Sequence, residues 1–276
     1  MQLICPVCAS SLYQQERNLR CENNHSFDAA RQGYWNLLLA HKKRSKDPGD
    51  NPEMVQARRA FLSQGHYQAL SNRINELATQ ACKTIEAPRI MDMGCGEGYY
   101  TERLSEHLKT AGVCADLAGL DISKHAVKAA CNRSKQITWL VASGANAPVP
   151  EHSLDLQLVL FSRLMPEALA RTMKPGSTLL VAWPGEDHLR ELREQIYSQI
   201  RESQFDPAET LKDYFTLTSV ETVNTDFHLN SPEQISSLLA MTPHGQRLNQ
   251  SARDKICALK TLDLTLDVKL GLFTRL

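Results

Sequence analysis

The feature that most constrains this chain is the segment from Ile90 to Thr101, which joins a short apolar run to a glycine-rich turn. The run ends at Asp92, and glycine then occupies alternate positions at Gly94, Gly96 and Gly98. A strand that enters such a turn before a helix lets the backbone approach a nucleotide-like ligand where a Cβ would clash. The segment therefore predicts a cofactor-binding loop at the carboxyl end of a strand.

The glycine spacing narrows the choice of ligand. Dinucleotide-binding loops follow G-x-G-x-x-G and hold a pyrophosphate at a helix N-terminus. The D-x-G-x-G-x-G spacing found here resembles motif I of class I S-adenosylmethionine (SAM) methyltransferases, whose ligand has no phosphate and carries an amino-acid moiety. A G-x-G element alone is weak evidence, since an ordinary glycine turn can contain one.

A second strand-end acid supports a ribosyl ligand. Residues 118–123 indicate a strand that ends at Asp121. A carboxylate at this position can accept hydrogen bonds from both ribose hydroxyls. NAD-dependent enzymes use the same device, and a solvated strand-end aspartate is the alternative, so Asp121 indicates a ribose without naming the whole ligand.

Four potential metal ligands stand near the N-terminus. Cys5 and Cys8 form a C-x2-C pair, and Cys21 and His25 form a C-x3-H pair after a gap of twelve residues. Two such pairs are typical of a closed tetrahedral zinc site, which is structural because no coordination position remains for water. Four unrelated side chains are the alternative. The pattern predicts a small module that depends on Zn²⁺ to fold.

Charge and hydropathy exclude some classes of protein. Lys plus Arg and Asp plus Glu number 31 each, so the overall charge does not indicate a nucleic-acid-binding protein and any basic surface must be local. The sequence shows no secretory signal and no apolar run near the ~20 residues that a membrane span needs. We therefore expect a cytoplasmic protein without a membrane segment, in which the cysteines are reduced.

A basic run and two helices connect the N-terminal module to the glycine loop. The run spans 41–46 and is followed by Asp47-Pro48-Gly49-Asp50. Beside a zinc ribbon it is a candidate RNA-binding strip, although such runs are more often solvated linkers. Helices are predicted from Asn51 to Gly65 and over 68–85, and Gly65-His66-Tyr67 between them is expected to cover the glycine loop.

From Arg89 onward the pattern alternates between strands and helices. Strands are predicted over 89–92, 113–121, 137–142, 154–161 and 178–182, with helices over 99–111, 124–132 and 166–173. This alternation predicts a parallel sheet covered on both faces, with the ligand beyond the strand carboxyl ends. Further helices are predicted over 189–204, 231–241 and 246–260.

The tail extends this sheet. Strict apolar alternation over 262–270 predicts a strand antiparallel to 214–229, which completes a seven-stranded mixed sheet. The predicted class is an α/β, Rossmann-like class I SAM methyltransferase with an N-terminal zinc ribbon. The predicted units are a zinc module (1–40), a basic linker with two helices covering the cofactor site (41–85) and the Rossmann-like domain (86–276).

Taken together, these segments resemble one family, the bacterial large-subunit (23S) rRNA guanine-N1 methyltransferases of the RlmA type. The matching segments are the Cys5, Cys8, Cys21 and His25 ribbon, Gly33-Tyr34, Asn36 to Leu38, Lys46 to Asp50, Gln56 to Leu62, Gly65 to Tyr67, Gly94 to Thr101, Leu120 to Lys124, Lys174 to Gly176 and Met241 to Pro243. The ribbon, the DPGD segment and the GCGEGYYT segment are together much more specific than any of them alone.

The resemblance implies a zinc module that helps to hold RNA, a SAM-binding domain, and a guanine in a hairpin loop of 23S rRNA as the substrate. It also implies that the cofactor is contacted by Tyr67, Cys95, Gly96 and His188, although position alone would equally make His188 a surface residue at a helix start. The full set of predicted cofactor-binding residues is Tyr67, Asp92, Gly94, Cys95, Gly96, Gly98, Asp121, Ile122 and His188. The chain departs from the family pattern over 161–166 and 244–247, which bears on which guanine is chosen.

The expected reaction transfers the sulfonium methyl of SAM to guanine N1, and Asp47, Asp50 and His188 are candidates to accept the N1 proton. A small-molecule SAM methyltransferase, acting for example on a quinone or lipid precursor, is the first alternative, but it gives the ribbon and the basic run no task. A non-catalytic RNA-binding protein with a vestigial SAM fold is the second, and the intact Asp92, glycines and Asp121 argue against it. The sequence leaves the oligomeric state open, a homodimer included.

Overall fold

The structure is a computed structural model that describes residues 1–42, 45–197, 199–200, 204–242, 245, 248 and 250–276. Positions 43–44 of the basic run, Pro243 of the Met-Thr-Pro match, and His244, Gln246 and Arg247 of the divergent segment lie outside the described residues.

The N-terminal module is a four-stranded antiparallel sheet. Its strands are β1 (Leu3–Ile4), β2 (Ser11–Gln15), β3 (Asn18–Arg20) and β4 (Ser26–Asp28). Leu3, Leu12 and Leu19 are buried and belong to a cluster that continues into the core on one face of the large sheet. The backbone N–H of Ile4 also donates to the carbonyl of Pro148 at 2.9 Å. The ribbon is therefore docked on the larger domain and shares an apolar core with it.

The larger domain is built on one mixed sheet. In chain order its strands are β5 (Trp35–Asn36), β6 (Arg89–Met93), β7 (Asp116–Asp121), β8 (Thr138–Val141), β9 (Leu154–Leu160), β10 (Met173–Pro184), β11 (Phe215–Leu229) and β12 (Leu262–Arg275). Their order across the sheet is β11-β12-β10-β9-β6-β7-β8-β5. Strands β5 to β10 pair in parallel, whereas β12 lies antiparallel between β10 and β11.

The seven predicted strands are all present, and the predicted antiparallel pairing of the tail is confirmed, with Leu229 opposite Leu262 and Phe215 opposite Arg275. The eighth strand, Trp35–Asn36, was not predicted and pairs with Leu140 and Val141 at the sheet edge. Two residues are too short a run to show a period in the sequence. The end of the predicted 1–40 unit thus pairs with the sheet of the large domain.

Nine α-helices lie within the described residues and pack around the large sheet. They are α1 (Pro52–Leu62), α2 (Gln68–Cys82), α3 (Tyr99–Thr110), α4 (Lys124–Ala130), α5 (Pro166–Thr172), α6 (Arg190–Ile196), α7 (Pro207–Leu211), α8 (Pro232–Met241) and α9 (Gln250–Cys257). In the described part of the chain, no helix combines the length and apolar character that crossing a bilayer requires.

The helix predicted over 189–204 is wrong in length, because α6 ends at Ile196 and Tyr197 adopts an extended backbone. A separate helix, α7, follows, and the side chain of Asp206 caps it by accepting from the backbone N–H of Ala208 at 2.8 Å. The Asp-Pro pair at 206–207 was a readable start signal for this second helix.

Candidate active site and metal centre

A cavity of about 580 Å³ opens at the carboxyl ends of the parallel strands. It is lined by the loops after β6, β7, β9 and β10, by the segment from 49 to 67 and by the end of α8. This is the edge of the sheet at which a ligand was predicted, because strand carboxyl ends in an open α/β sheet leave a crevice where the strand order reverses.

The three glycines of the loop have positive φ angles of +84° at Gly94, +57° at Gly96 and +85° at Gly98. A Cβ on Gly96 would have Arg58 Nη1 as its nearest neighbour at 3.7 Å, so the backbone there is open toward the cavity. A Cβ on Gly98 would instead lie 2.8 Å from the ring of Trp139. Gly94 and Gly96 line the cavity, whereas Gly98 is not among the described lining residues and is explained by helix–strand packing.

Asp121 lies at the end of β7 and lines the cavity. Its Oδ2 accepts from the backbone N–H of Gly96 at 2.9 Å, and its Oδ1 accepts from the N–H of Ser123 at 2.7 Å. Burial raises the pKa of this carboxyl, and the two backbone bonds oppose the rise. Each oxygen keeps a second acceptor position, so Asp121 fixes the glycine loop and can still accept from ribose hydroxyls. The bond to Gly96 was not foreseen from the sequence.

Asp92 lies at the carboxyl end of β6 and is buried. Thr101 donates its hydroxyl to Asp92 Oδ2 at 2.6 Å, while Oδ1 has no partner among the described residues. Burial raises the pKa of Asp92 to about 7, although the bond from Thr101 lowers it. A carboxylate oxygen left without a donor at the cavity wall favours a ligand that brings a positive charge or a donor.

Aromatic rings form another part of the cavity wall. Tyr67 and His188 are brought together, with 3.4 Å between the Tyr67 hydroxyl and His188 Nε2. The rings of Phe161 and His188 lie 6.2 Å apart at an interplanar angle of 24°. Phe161 follows β9 directly, has a φ of +54°, and exposes 40 % of its surface. A non-glycine residue in this strained backbone region, with its ring exposed at a cavity, is a mark of a functional position.

Cys95 and Ile122, two of the predicted cofactor-binding residues, also line the cavity. Cys95 is buried, and burial raises the pKa of its thiol well above the usual value. The thiol is therefore protonated and does not act as a nucleophile. Ile122 lies at the exposed limit of the cavity, beside Asp121.

The structure separates the two acids of the DPGD segment. Asp50 lines the cavity and pairs with Arg58, and its carbonyl accepts from the Ser123 hydroxyl at 2.6 Å. Asp47 is exposed, contacts His125 Nε2 at 2.8 Å and is not among the described lining residues. The segment is thus held against the start of α4, with one acid facing the cavity and the other facing solvent.

Several lining residues were missed or left unassigned by the sequence reasoning. Arg58, Tyr100, Trp183 and Phe205 line the cavity but were not among the predicted cofactor-binding residues. Tyr100 had a readable signal, since it lies in the first turn of the helix that follows the glycine loop. Arg58 lies within the Gln56 to Leu62 segment that matches the family, but its role becomes visible only when α1 folds over the loop.

The four predicted metal ligands converge in the ribbon. The candidate ligand atoms of Cys5, Cys8, Cys21 and His25 all lie within 4.8 Å of one another, with separations of 3.4 Å for Cys21–His25 and 3.7 Å for Cys8–Cys21. A tetrahedron with Zn–S bonds of about 2.3 Å has edges of about 3.8 Å, so the arrangement fits Zn²⁺.

Two backbone hydrogen bonds hold the thiolates of the C-x2-C pair on one turn. The N–H of Cys5 donates to the carbonyl of Ser10, and the carbonyl of Cys5 accepts from the N–H of Ala9, both at 2.8 Å. Asn23 Nδ2 donates to Cys8 Sγ at 3.3 Å, and this bond is the main cause that lowers the pKa of Cys8 to about 5. A thiol that is ionised near neutral pH is ready to ligate a metal.

Two protein-family models match the chain. The model described as "RlmA, N-terminal", a zinc ribbon, matches residues 3–46, and a "Methyltransferase domain" model matches residues 90–178. The first covers the ribbon with all four converging side chains, and the second covers the glycine loop, Asp92 and Asp121.

Curated relatives match most of the chain. A 23S rRNA (guanine(748)-N(1))-methyltransferase from Streptomyces fradiae is 34% identical over 244 residues, which is 87% of this chain and 84% of the relative. The putative 23S rRNA (guanine-N(1)-)-methyltransferase YxjB of Bacillus subtilis (strain 168) is 30% identical over 278 residues, which is 96% of this chain and 94% of the relative. With the ribbon, the Rossmann-like sheet and the cavity in place, the chain belongs to the 23S rRNA guanine-N1 methyltransferase family of the RlmA type, SAM-dependent enzymes with a structural zinc ribbon.

Proposed function

We propose that this protein methylates N1 of a guanine in a hairpin loop of 23S rRNA, with SAM as the methyl donor. The proposal rests on one observation: the same chain contains a zinc ribbon and a cavity whose glycine loop and two strand-end acids suit SAM. The names of the Streptomyces and Bacillus relatives support the choice of acceptor. A cytoplasmic location follows from the proposed substrate.

SAM supplies a methyl group on a sulfonium, and the chain's own residues fit such a ligand. We propose that Asp121 holds the ribose, with Ile122 beside the base, and that the backbone of Gly94 to Gly96 lies along the ligand. Asp92 Oδ1, which lacks a described partner, suits the positively charged portion of the molecule. Tyr67 and His188 close the opposite wall, where their mutual contact orients both rings.

The acceptor nitrogen carries a proton that must leave during methylation. Of the three candidates for its removal, Asp47 faces solvent beside His125, and Asp50 is engaged by Arg58. We propose His188 as the first candidate, because it lines the cavity and its ring nitrogen faces the Tyr67 hydroxyl. A base of this kind contributes typically about 10²- to 10⁴-fold to a rate.

The guanine itself needs a surface to stack on once it leaves its loop. We propose that Phe161 provides this surface, because the residue is exposed at the cavity and its ring lies beside that of His188. Stacking on an aromatic ring is worth about 1–3 kcal/mol per base. The contact would place the base beside the proposed proton acceptor.

We propose that each of the three predicted units, 1–40, 41–85 and 86–276, contributes to binding SAM or RNA. The 41–85 unit supplies Asp50, Arg58 and Tyr67 to the cavity, which the 86–276 unit otherwise forms. The 1–40 unit carries the zinc site and is proposed, with the adjoining basic run, to hold RNA.

Methyl transfer from labelled SAM distinguishes an rRNA methyltransferase from a small-molecule methyltransferase. The full-length, zinc-loaded protein should label unmodified 23S rRNA, and the product should be 1-methylguanosine at a single hairpin-loop position, mapped by mass spectrometry of nuclease fragments. Label found only in a small-molecule pool would reject the rRNA substrate and support the small-molecule alternative. Gly96→Arg should abolish SAM binding in calorimetry, because its side chain would enter the cavity at the loop.

A further inference from the structure

The described wall of the cavity has an uneven charge distribution. Four acidic side chains, Asp50, Asp92, Glu97 and Asp121, line it, whereas Arg58 is the one lysine or arginine among the described lining residues. Glu97 is already paired with Arg133, at 2.6 Å between Oε2 and Nε. A ligand that carries a carboxylate therefore finds one side chain of fixed positive charge in the part of the cavity that the structure describes.

Arg58 has hydrogen-bonding capacity to spare. Its Nη1 contacts Asp50 Oδ2, and its Nη2 donates to the carbonyl of Met241 at 3.2 Å. A guanidinium has five N–H groups in a planar fork that suits a carboxylate, so these two contacts leave three donors. The pairing with Asp50 and the bond to Met241 hold the head group in place over the glycine loop, where Nη1 would be 3.7 Å from a Cβ on Gly96.

A second unused donor lies in the same wall. The hydroxyl of Tyr100 is buried and has no partner among the described residues, and Tyr100 is one of the residues that line the cavity. Arg58 and Asp92 are both close enough to act electrostatically on this hydroxyl. A buried hydroxyl without a partner costs free energy unless a ligand completes its hydrogen bonds.

We propose that Arg58, with the Tyr100 hydroxyl, binds the α-carboxylate of the methionine moiety of SAM. This inference rests on the proposed use of SAM and adds a subsite to it. The Arg58–Asp50 pair then has two tasks: Asp50 fixes the guanidinium, and the remaining donors face the carboxylate. The DPGD segment, through Asp50, becomes part of the apparatus that positions the donor.

The test compares SAM with decarboxylated SAM, which keeps the adenosine, sulfonium and amino group and lacks only the carboxylate. Calorimetry on the full-length, zinc-loaded protein should show that Arg58→Gln weakens SAM binding by about 10- to 100-fold, the range for a lost hydrogen bond to a charged group. The affinity for decarboxylated SAM should change by less than about twofold. Tyr100→Phe should show the same selectivity with a smaller loss.

Two variants control for indirect effects. Arg59→Gln changes the neighbouring arginine, which donates to the carbonyl of Ala129 and is not among the described lining residues, and it should leave both affinities unchanged. Asp50→Asn loosens the guanidinium of Arg58 but keeps its charge, so the preference for SAM over decarboxylated SAM should fall less than in Arg58→Gln.

Equal losses for both ligands in Arg58→Gln would overturn the inference, since Arg58 would then act only on the shape of the loop. Unchanged SAM affinity in that variant would also overturn it while leaving the proposed function intact. Failure of the unmodified protein to bind SAM would instead reject the proposed function itself.

Discussion

Asp92 provides the sharpest test of the electrostatic reasoning, because its carboxyl is buried with one oxygen lacking a described partner. Burial raises its pKa from 3.8 to about 7. A pKa raised on folding means that the folded state favours the protonated carboxyl. The contribution of Asp92 to the free energy of unfolding is therefore greatest below pH 3.8, and it falls as the pH rises from 3.8 through about 7. The total difference is about 4 kcal/mol, at 1.36 kcal/mol per unit.

The perturbation is Asp92→Asn, which keeps an oxygen to accept from Thr101 and removes the ionisable group. Between pH 5.5 and 8.5, a window chosen to keep zinc bound, Asp92 accounts for about 2 kcal/mol of the expected fall in unfolding free energy. Urea unfolding of the SAM-free protein at several pH values measures this fall. In Asp92→Asn the fall should be smaller by that amount, while the contribution of Asp121 cancels in the comparison because it is present in both proteins.

Thr101→Val is the matched control for Asp92→Asn. It removes the hydrogen bond that lowers the pKa of Asp92, so the fall in stability should extend to higher pH. Identical pH profiles for the unmodified protein and Asp92→Asn would refute the reasoning, because they would mean that Asp92 is ionised in both the folded and the unfolded protein across this window.

Three further predictions concern the metal and the packing around the loop. Chelation of zinc should make residues 1–30 susceptible to proteolysis. It should change SAM affinity by less than about twofold, because no residue before Gly49 is among the described lining residues. A complete loss of SAM binding would contradict this separation. Gly98→Ala should destabilise the protein by about 2–4 kcal/mol in urea unfolding, since φ is +85° and Trp139 occupies the space; a neutral result would show that the loop relaxes. Arg133→Met should lower the free energy of unfolding by about 3–5 kcal/mol, because it leaves Glu97 buried without its partner. The double variant with Glu97→Gln should recover part of this loss in the same urea titration.

The part of the site that follows one strand was predictable from the sequence. The acid, the alternate glycines and the next strand-end acid lie close together in the chain, so Asp92, Gly96 and Asp121 could be assigned before their positions were known. The four ribbon ligands were predictable for the same reason, because metal-ligand pairs have fixed local spacing. In each case local geometry determines the chemistry.

The rest of the site depends on contacts between distant segments. Arg58 reaches the cavity only because α1 packs against α8, where Met241 accepts its hydrogen bond. Asp47 and Asp50 are three positions apart and were equivalent in the sequence, but the anchoring of Asp50 to Ser123 turns one inward and leaves the other outward. A pattern within one segment carries no signal for such pairings.

The same Asp92 carboxylate also bears on how the site would distinguish donor from product. SAM carries a sulfonium charge, whereas S-adenosylhomocysteine carries a neutral thioether, and the two share every other charged group. Ionised Asp92 stabilises the charged ligand more than the neutral one, and its protonated form loses most of that preference. The ratio of SAM to S-adenosylhomocysteine affinity, measured by calorimetry, should therefore rise as the pH passes through about 7 and level off about one unit higher, and it should be flat in Asp92→Asn. A pH-independent ratio in the unmodified protein would mean that the sulfonium lies too far from Asp92 for the carboxylate to sense it, and the preference for SAM would then have to come from contacts elsewhere in the cavity.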